Sequence, residues 1–258
     1  MFWRAGLSAT LLWSSVGVFA AADAEQPVIV AEVPALGKLT YAVEWRLIRG
    51  GTVVIDAGES ITKSSGAQAT VKLDSSGLVA ALFKVDDLYT ANFDADLCTQ
   101  STLMEAHEGK RVRRTEVAVD RQNARSNYAE RDPLKGTVVR SVQLDVPPCV
   151  HDILGAVLAL RKLGLQPGQT SQVPVTDGRR VAQVKVEAQE REAVVTPAGT
   201  FQAIRYEANL MNNVIYSRQG RVFIWLSDDA NRIPVQFRLR LAFPVGAVNL
   251  QLEKGIAP

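Results

Sequence analysis

The chain has 258 residues, 47% of them hydrophobic and 22% charged, a globular balance that gives no ground for disorder. Lys and Arg total 29 against 27 for Asp and Glu. A chain this close to neutral has no global field to gather nucleic acid or anionic lipid, and its length suits one large all-β domain or two small ones.

Residues 1–22 read as a secretory signal peptide. Arg4 supplies the positive start, Leu7 to Phe19 is apolar apart from small and hydroxyl residues, and Ala20, Ala21, Ala22 and Ala24 follow. Val18-Phe19-Ala20 and Ala20-Ala21-Ala22 both fit the small-residue cleavage rule. The apolar run is shorter than the roughly 20 residues of a membrane span, which weighs against a retained anchor. No Cys follows it, which weighs against a lipid anchor, and no later stretch is apolar enough to span. The expectation is a periplasmic or secreted protein with no integral membrane segment once the signal is cleaved. Residues 23–37 read as a flexible leader. Residues 38–254 read as a single all-β domain in two strand-rich halves, 38–146 and 169–254, joined by a helix over 152–163.

In the first half, Tyr41, Val43, Trp45 and Leu47 alternate with Thr40, Glu44 and Arg46, the period of a half-buried strand. Gly50-Gly51 suits a hairpin before a return strand over Val53 to Ile61. Further strands are predicted over 69–73, 78–85, 97–105, 111–120, 124–130 and 137–146, with polar turns between them. Asp86-Asp87 reads as one of those turns.

The segment after Pro147-Pro148 differs. Asp152 can cap a helix, Gly164 suits its C-terminal end and Pro167 lies beyond. Ile153, Leu154, Val157, Leu158, Leu160 and Leu163 occupy nearly every side of that helix, so it must be covered, with a gross gain of roughly 10 kcal/mol for the six side chains. A curved antiparallel sheet, an open barrel or a sandwich around one buried helix is the expected fold. Strands resume over 170–175 and 180–190 about the hairpin Asp177-Gly178, then over 201–210, 214–218, 222–226, 235–243 and 248–252.

Cys98 and Cys149 are the only cysteines. In an oxidising compartment a disulfide is the preferred reading over a buried free pair or a metal site, to which only His107 and His151 could add imidazoles and for which no zinc-motif spacing is present. Cys149 with His151 and Asp152 also permits a nucleophile reading. Against it, side chains so near in sequence rarely aim at one another, and triads assemble from distant segments. Asp86-Asp87 and Asp228-Asp229 could supply acid and base, although Asp at strand ends is first a turn former. Arg111 and Arg113 are candidates for anion binding if neighbouring strands gather their guanidiniums; the competing reading is a charged outer face. No nucleophile elbow, phosphate loop, zinc motif or dinucleotide fingerprint is present, and no cofactor or metal is expected.

Several segments resemble one exported bacterial family. They are Leu39-Thr40-Tyr41 with Gly50-Gly51, Gly109-Lys110-Arg111, Asp152-Ile153-Leu154 with Leu160-Arg161, and Thr196-Pro197-Ala198-Gly199-Thr200-Phe201. The clearest is Ile224-Trp225-Leu226-Ser227-Asp228-Asp229 followed by Arg232-Ile233-Pro234-Val235. Their order and spacing, from about 37 to 253, resemble the family catalogued as domain of unknown function 3108. That resemblance implies a periplasmic or surface all-β module and brings no catalytic residues to transfer. Leu160 stands where relatives often carry an aromatic.

The leading expectation is non-enzymatic binding of an apolar or lipidic ligand, or of an envelope protein, with Trp45, Leu154, Leu158 and Trp225 as ligand contacts. The alternatives are a hydrolase of an envelope polymer acting through Asp228, Asp229 and Asp86 or Asp87, and a structural or assembly subunit.

Overall fold

The structure, a computed structural model, describes residues 34–255 except 47, 59–65 and 243–245. The segment read as a signal peptide and the leader up to residue 33 lie outside the described residues. Eight strands come first: β1 (Gly37–Trp45), β2 (Ile48–Ala57), β3 (Ala67–Ser75), β4 (Val85–Phe93), β5 (Thr99–Glu108), β6 (Arg111–Asp120), β7 (Arg125–Asp132) and β8 (Thr137–Asp145). A short helix, α1 (Gly77–Leu82), joins β3 to β4. Helix α2 (Ile153–Leu163) follows β8. Then come β9 (Thr170–Thr176), β10 (Val181–Thr196), β11 (Gly199–Ala208), β12 (Gly220–Ser227), β13 (Pro234–Leu241) and β14 (Gly246–Lys254).

All 14 strands form one open antiparallel sheet, in the order β8-β7-β6-β5-β4-β3-β2-β1-β14-β13-β12-β11-β10-β9. The first and last strands pair at its centre, and the chain leaves one edge, forms α2 and resumes at the other edge. Alternation sets the inner face. Leu39 and Tyr41, Val53 and Ile55, Ala91 and Phe93 are buried together on one side of their strands.

The sheet coils on itself around α2. The amide of Thr99 at the start of β5 donates to the Val150 carbonyl (2.9 Å). His151 donates to Pro174 O (2.9 Å) and accepts from Thr176 N (2.8 Å) on β9. Two residues ahead of α2 therefore stitch the left half of the sheet to its right edge. At the tip of the β9–β10 hairpin Gly178 has φ 82°, and a Cβ there would meet Val117 Cγ2 at 2.6 Å and Tyr128 Cδ2 at 2.8 Å. Only glycine lets that hairpin lie against β6 and β7.

Polar contacts pin α2 at both ends. Asp152 caps it, accepting from Leu154 N (3.2 Å) and Gly155 N (3.0 Å). The same carboxylate accepts from Thr99 Oγ1 (2.9 Å) and from the Tyr89 hydroxyl (2.6 Å), tying the cap to β5 and β4. At the other end Arg161 is buried and donates to three backbone carbonyls: Arg232 (3.0 Å), Pro34 (2.9 Å) and Asn231 (2.7 Å). Arg232 returns a bond to the Arg161 carbonyl (2.9 Å) beneath Gly164, whose φ of 58° ends the helix. The Pro34 contact and buried Leu36 bring the end of the leader segment onto the fold. Cys98 and Cys149 form a disulfide, with Cα atoms 5.0 Å apart.

Three local expectations are corrected. Residues 78–85 are not a strand: α1 occupies 77–82, opened by Gly77 at φ 57° and filled by the helix formers Leu78, Ala80, Ala81 and Leu82. Asp86-Asp87 is not a turn but the beginning of β4, where Asp87 accepts the His107 amide (2.9 Å) across the pair. Residues 214–218 are not a strand either. The amides of Ile215 and Tyr216 both turn back to Leu210 O (3.0 Å each), and Asn212 and Asn213 take φ of 60° and 71°.

Reducing the Cys98–Cys149 bond, which spans 51 residues, costs about 4 kcal/mol in the chain-entropy model, read as the difference between urea melts of oxidised and reduced protein. Arg161→Met removes the donor from three partly buried contacts, to the carbonyls of Pro34, Asn231 and Arg232, and destabilises by about 2 kcal/mol in the same melts.

Candidate functional site: an apolar cavity beside the central helix

The two sides of α2 are packed unequally. Leu154 and Leu158 sit in a core with Tyr41, Ile55, Phe93 and Leu97, where large side chains fill the space. The face formed by Ile153, Ala156, Val157 and Leu160 looks the other way, toward β9–β13. Those strands present mainly small or β-branched residues: Val173 and Val175 on β9, Val184 and Val186 on β10, Ala208 on β11, Val222 and Ile224 on β12. Short side chains on both walls leave a cavity of about 480 Å³, which Phe237, Leu239 and Leu241 of β13 complete. That volume is within the roughly 300–1,000 Å³ of pockets that hold small ligands.

Polar side chains enter the lining at one place. Tyr216, Ser217 and Arg218 stand together on the connection 209–219 between β11 and β12 and form the mouth. Burial pushes the Tyr216 phenol up to about 12, so it stays neutral at physiological pH. No carboxylate, imidazole or thiol is among the described lining residues. The arrangement can hold an apolar body and meet a polar end at the mouth. It presents no acid, base or activated nucleophile to a substrate.

None of the four ligand contacts expected from sequence lines this cavity. Leu154 and Leu158 are on the filled side of α2. Trp225 points away from Ile224 and Leu226: it lies beneath the Arg238 guanidinium (5.4 Å to the ring) and its Nε1 donates to Glu192 (2.7 Å). Trp45 ends β1 at the surface with Arg46 over its ring at 5.2 Å. What sequence reasoning missed is the other half of the same helix. Its signal was the Val pairs two residues apart on β9 and β10, which mark an inward face of uniformly short side chains.

The charged candidates separate as well. Arg111 pairs with Glu130 (3.1 Å) and Glu108 (3.8 Å), and Arg113 with Asp132 (2.8 Å) and Glu130 (3.4 Å), so their charge is met within the protein. The aspartate pairs do not converge. Strands β4 and β12 are six antiparallel steps apart in the sheet and so run the same way. Asp86 and Asp87 begin β4, whereas Asp228 and Asp229 follow the end of β12. Their neighbours do not overlap: Lys72 holds Asp86 (2.9 Å), while Arg191 holds Asp228 (2.7 Å) and Asp229 accepts from Ser227 Oγ (2.9 Å). Cys149 is in the disulfide, which leaves the Cys-x-His-Asp segment without a thiol nucleophile.

A family model described as a protein of unknown function (DUF3108) matches residues 40–253. The chain belongs to the DUF3108 family. In this DUF3108 chain the matched span takes in α2, every cavity-lining residue and both cysteines. A solved β-barrel-like protein of the DUF1849 family from Brucella abortus is similar to it, with 12% identity, a TM-score of 0.58, and coverage of 88% of this chain and 100% of that one. A candidate exported protein with a YmcC-like fold from Bacteroides fragilis aligns at 12% identity over 86% of this chain and 97% of its own, with a TM-score of 0.34. The first likeness supports the fold alone. No curated protein sequence matches significantly.

His151 gives the site's foundation a pH dependence. Burial holds its imidazole below the usual 6.5, and its Nδ1 donates to the Leu97 carbonyl (2.8 Å). The unfolded chain binds that proton more readily, so stability falls as pH drops below about 6.5. Thermal melts from about pH 7.5 to about pH 5.5 show a falling Tm, and His151→Asn, which keeps a donor for Leu97 O, flattens that fall.

Proposed function

We propose that this protein is a non-enzymatic binding protein of the cell envelope and holds an apolar or lipidic ligand between α2 and β9–β13. The observation that carries the reading is the cavity of about 480 Å³, walled by aliphatic side chains and polar only at its mouth. Each ligand methylene moved from water into such a site contributes about 0.8 kcal/mol, so an acyl chain needs few directed contacts to bind. Retaining so large a void in an apolar core costs stability unless it is occupied. The envelope location draws support from residues 1–22, which read as an export signal, and from the disulfide, which persists in oxidising compartments.

The hydrolase alternative loses its geometric requirement, since the two aspartate pairs sit at opposite strand ends. Glycoside chemistry asks for two carboxyl groups within about 10 Å.

Delipidated protein takes up a fluorescent apolar probe such as N-phenylnaphthylamine, and native mass spectrometry of protein purified from envelopes shows bound lipid. Ala156→Trp places an indole inside the cavity, weakening probe binding by about tenfold or more while the melting curve stays cooperative. A wild type that takes up no probe and carries no lipid contradicts the reading.

A further inference from the structure

The near-neutral total hides a segregation of charge. Because every neighbouring strand pair is antiparallel, the connections β1–β2, β3–β4, β5–β6, β7–β8, β9–β10, β11–β12 and β13–β14 all lie along one rim of the sheet. Five of these, 76–84, 109–110, 133–136, 177–180 and 209–219, carry Lys84, Lys110, Lys135, Arg179, Arg180 and Arg218. A single carboxylate, Asp177, stands among them, and Arg179 pairs with it (2.8 Å). None of the other five cations makes an ion pair among the described residues. Carboxylates set slightly back from the tips are already held: Asp86 by Lys72, Glu108 by Arg111, Asp132 by Arg113. Along the opposite rim the turns 94–98, 121–124 and 228–233 reverse the balance, with Asp94, Asp96, Asp228 and Asp229 against Arg121 and Arg232.

The exposed apolar side chains follow the same division. Helix α1 buries none of its residues; Leu78 is 62% exposed, Leu82 76%, and Phe83 just beyond it 53%. Phe83 lies against Gly109 of the next tip, where an added Cβ would come to 3.0 Å, so the two connections are in contact. Leu134 on the β7–β8 tip is 74% exposed. Toward the other rim only Val195, at 71%, stands out among the large apolar residues described as exposed. The cavity mouth at Tyr216 to Arg218 is on the apolar, cationic rim.

We propose that this rim docks on an anionic bilayer surface. Leu78, Leu82 and Phe83 enter the headgroup region, and the unpaired lysines and arginines lie over lipid phosphates. The apolar points stand on two tips, three of them on the β3–β4 connection and Leu134 on the β7–β8 connection, among cations of which only Arg179 has a carboxylate partner among the described residues. That layout suits a continuous sheet of anionic headgroups better than a single protein groove, and apolar insertion combined with basic residues is the two-signal arrangement that holds peripheral proteins on membranes. Docked this way, the cavity mouth faces the membrane. The inference stands on the rim alone and does not require the cavity to hold lipid.

Vesicle flotation tests it with the purified protein and two compositions, phosphatidylethanolamine with phosphatidylglycerol, and phosphatidylcholine alone. The wild type floats with the first, and its partitioning falls at least about tenfold on the second. It also falls when salt is raised from about 0.1 M to about 0.5 M. Leu82→Asp with Phe83→Ser loses flotation while far-UV circular dichroism and probe uptake stay as in the wild type. Val195→Asp, on the other rim, floats normally. A wild type that ignores anionic vesicles, or a Leu82→Asp/Phe83→Ser protein that floats undiminished, overturns the inference. Because probe uptake is read separately, failure here is distinguishable from failure of the ligand-binding reading.

Discussion

Helix α2 has no polar side along its length, and the rest of the architecture answers to that constraint. Such a segment exposed to water would forfeit the burial of six aliphatic side chains, so the sheet has to wrap it. Wrapping fixes where the chain can turn over. The strands on each side of α2 become opposite edges, and the residues just before it must bridge from one edge region to the other. Val150 and His151 do so with backbone bonds to Thr99, Pro174 and Thr176. The Cys98–Cys149 bond fastens the same place covalently. Without those ties the helix could slide along a smooth apolar surface, because dispersion contacts alone carry little directional information.

Direction comes from the two polar ends. The Asp152 carboxylate accepts from two helix amides, a threonine and a tyrosine, which sets both the beginning of the helix and its height on β4 and β5. Arg161 spreads its guanidinium over three carbonyls at the far end, and burial draws its pKa down to about 10, still charged at neutral pH. With both ends fixed, the helix cannot move sideways to fill space left by the short side chains of β9 and β10. The cavity is therefore a consequence of how α2 is anchored, and the polar residues of the connection 209–219 are what close over it.

Much of the architecture is legible in the sequence, and the failures have local causes. The run from Asp152 to Gly164 shows cap, apolar surround and stop together, and the structure places α2 there. Strand alternation is clear wherever one face is solvated, as in β6, whose bounds agree residue for residue. It fails at Val85–Phe93, because Asp86-Asp87 carries a strong turn preference that cross-strand pairing with β3 and β5 overrides. It fails again at 214–218, where Val214, Ile215 and Tyr216 have strand composition but no partner strand, and two asparagines at positive φ redirect the backbone. The cavity is the least legible feature. Sequence shows that both faces of α2 are apolar, but which face meets large residues and which meets short ones depends on register across strands distant in the chain. Trp225, the most conspicuous residue of its strand, faces the other way for the same reason: its neighbours Ile224 and Leu226 take the inner side.

Methyl-resolved NMR on the delipidated protein, titrated with palmitate, tests most directly whether the helix separates a filled core from a ligand cavity. That division gives progressive shifts confined to methyls of Val157, Leu160, Val173, Val184 and Ile224, with Leu154 and Leu158 on the opposite face of the same helix unmoved. Equal shifts on both faces of α2, or none on either, would contradict it.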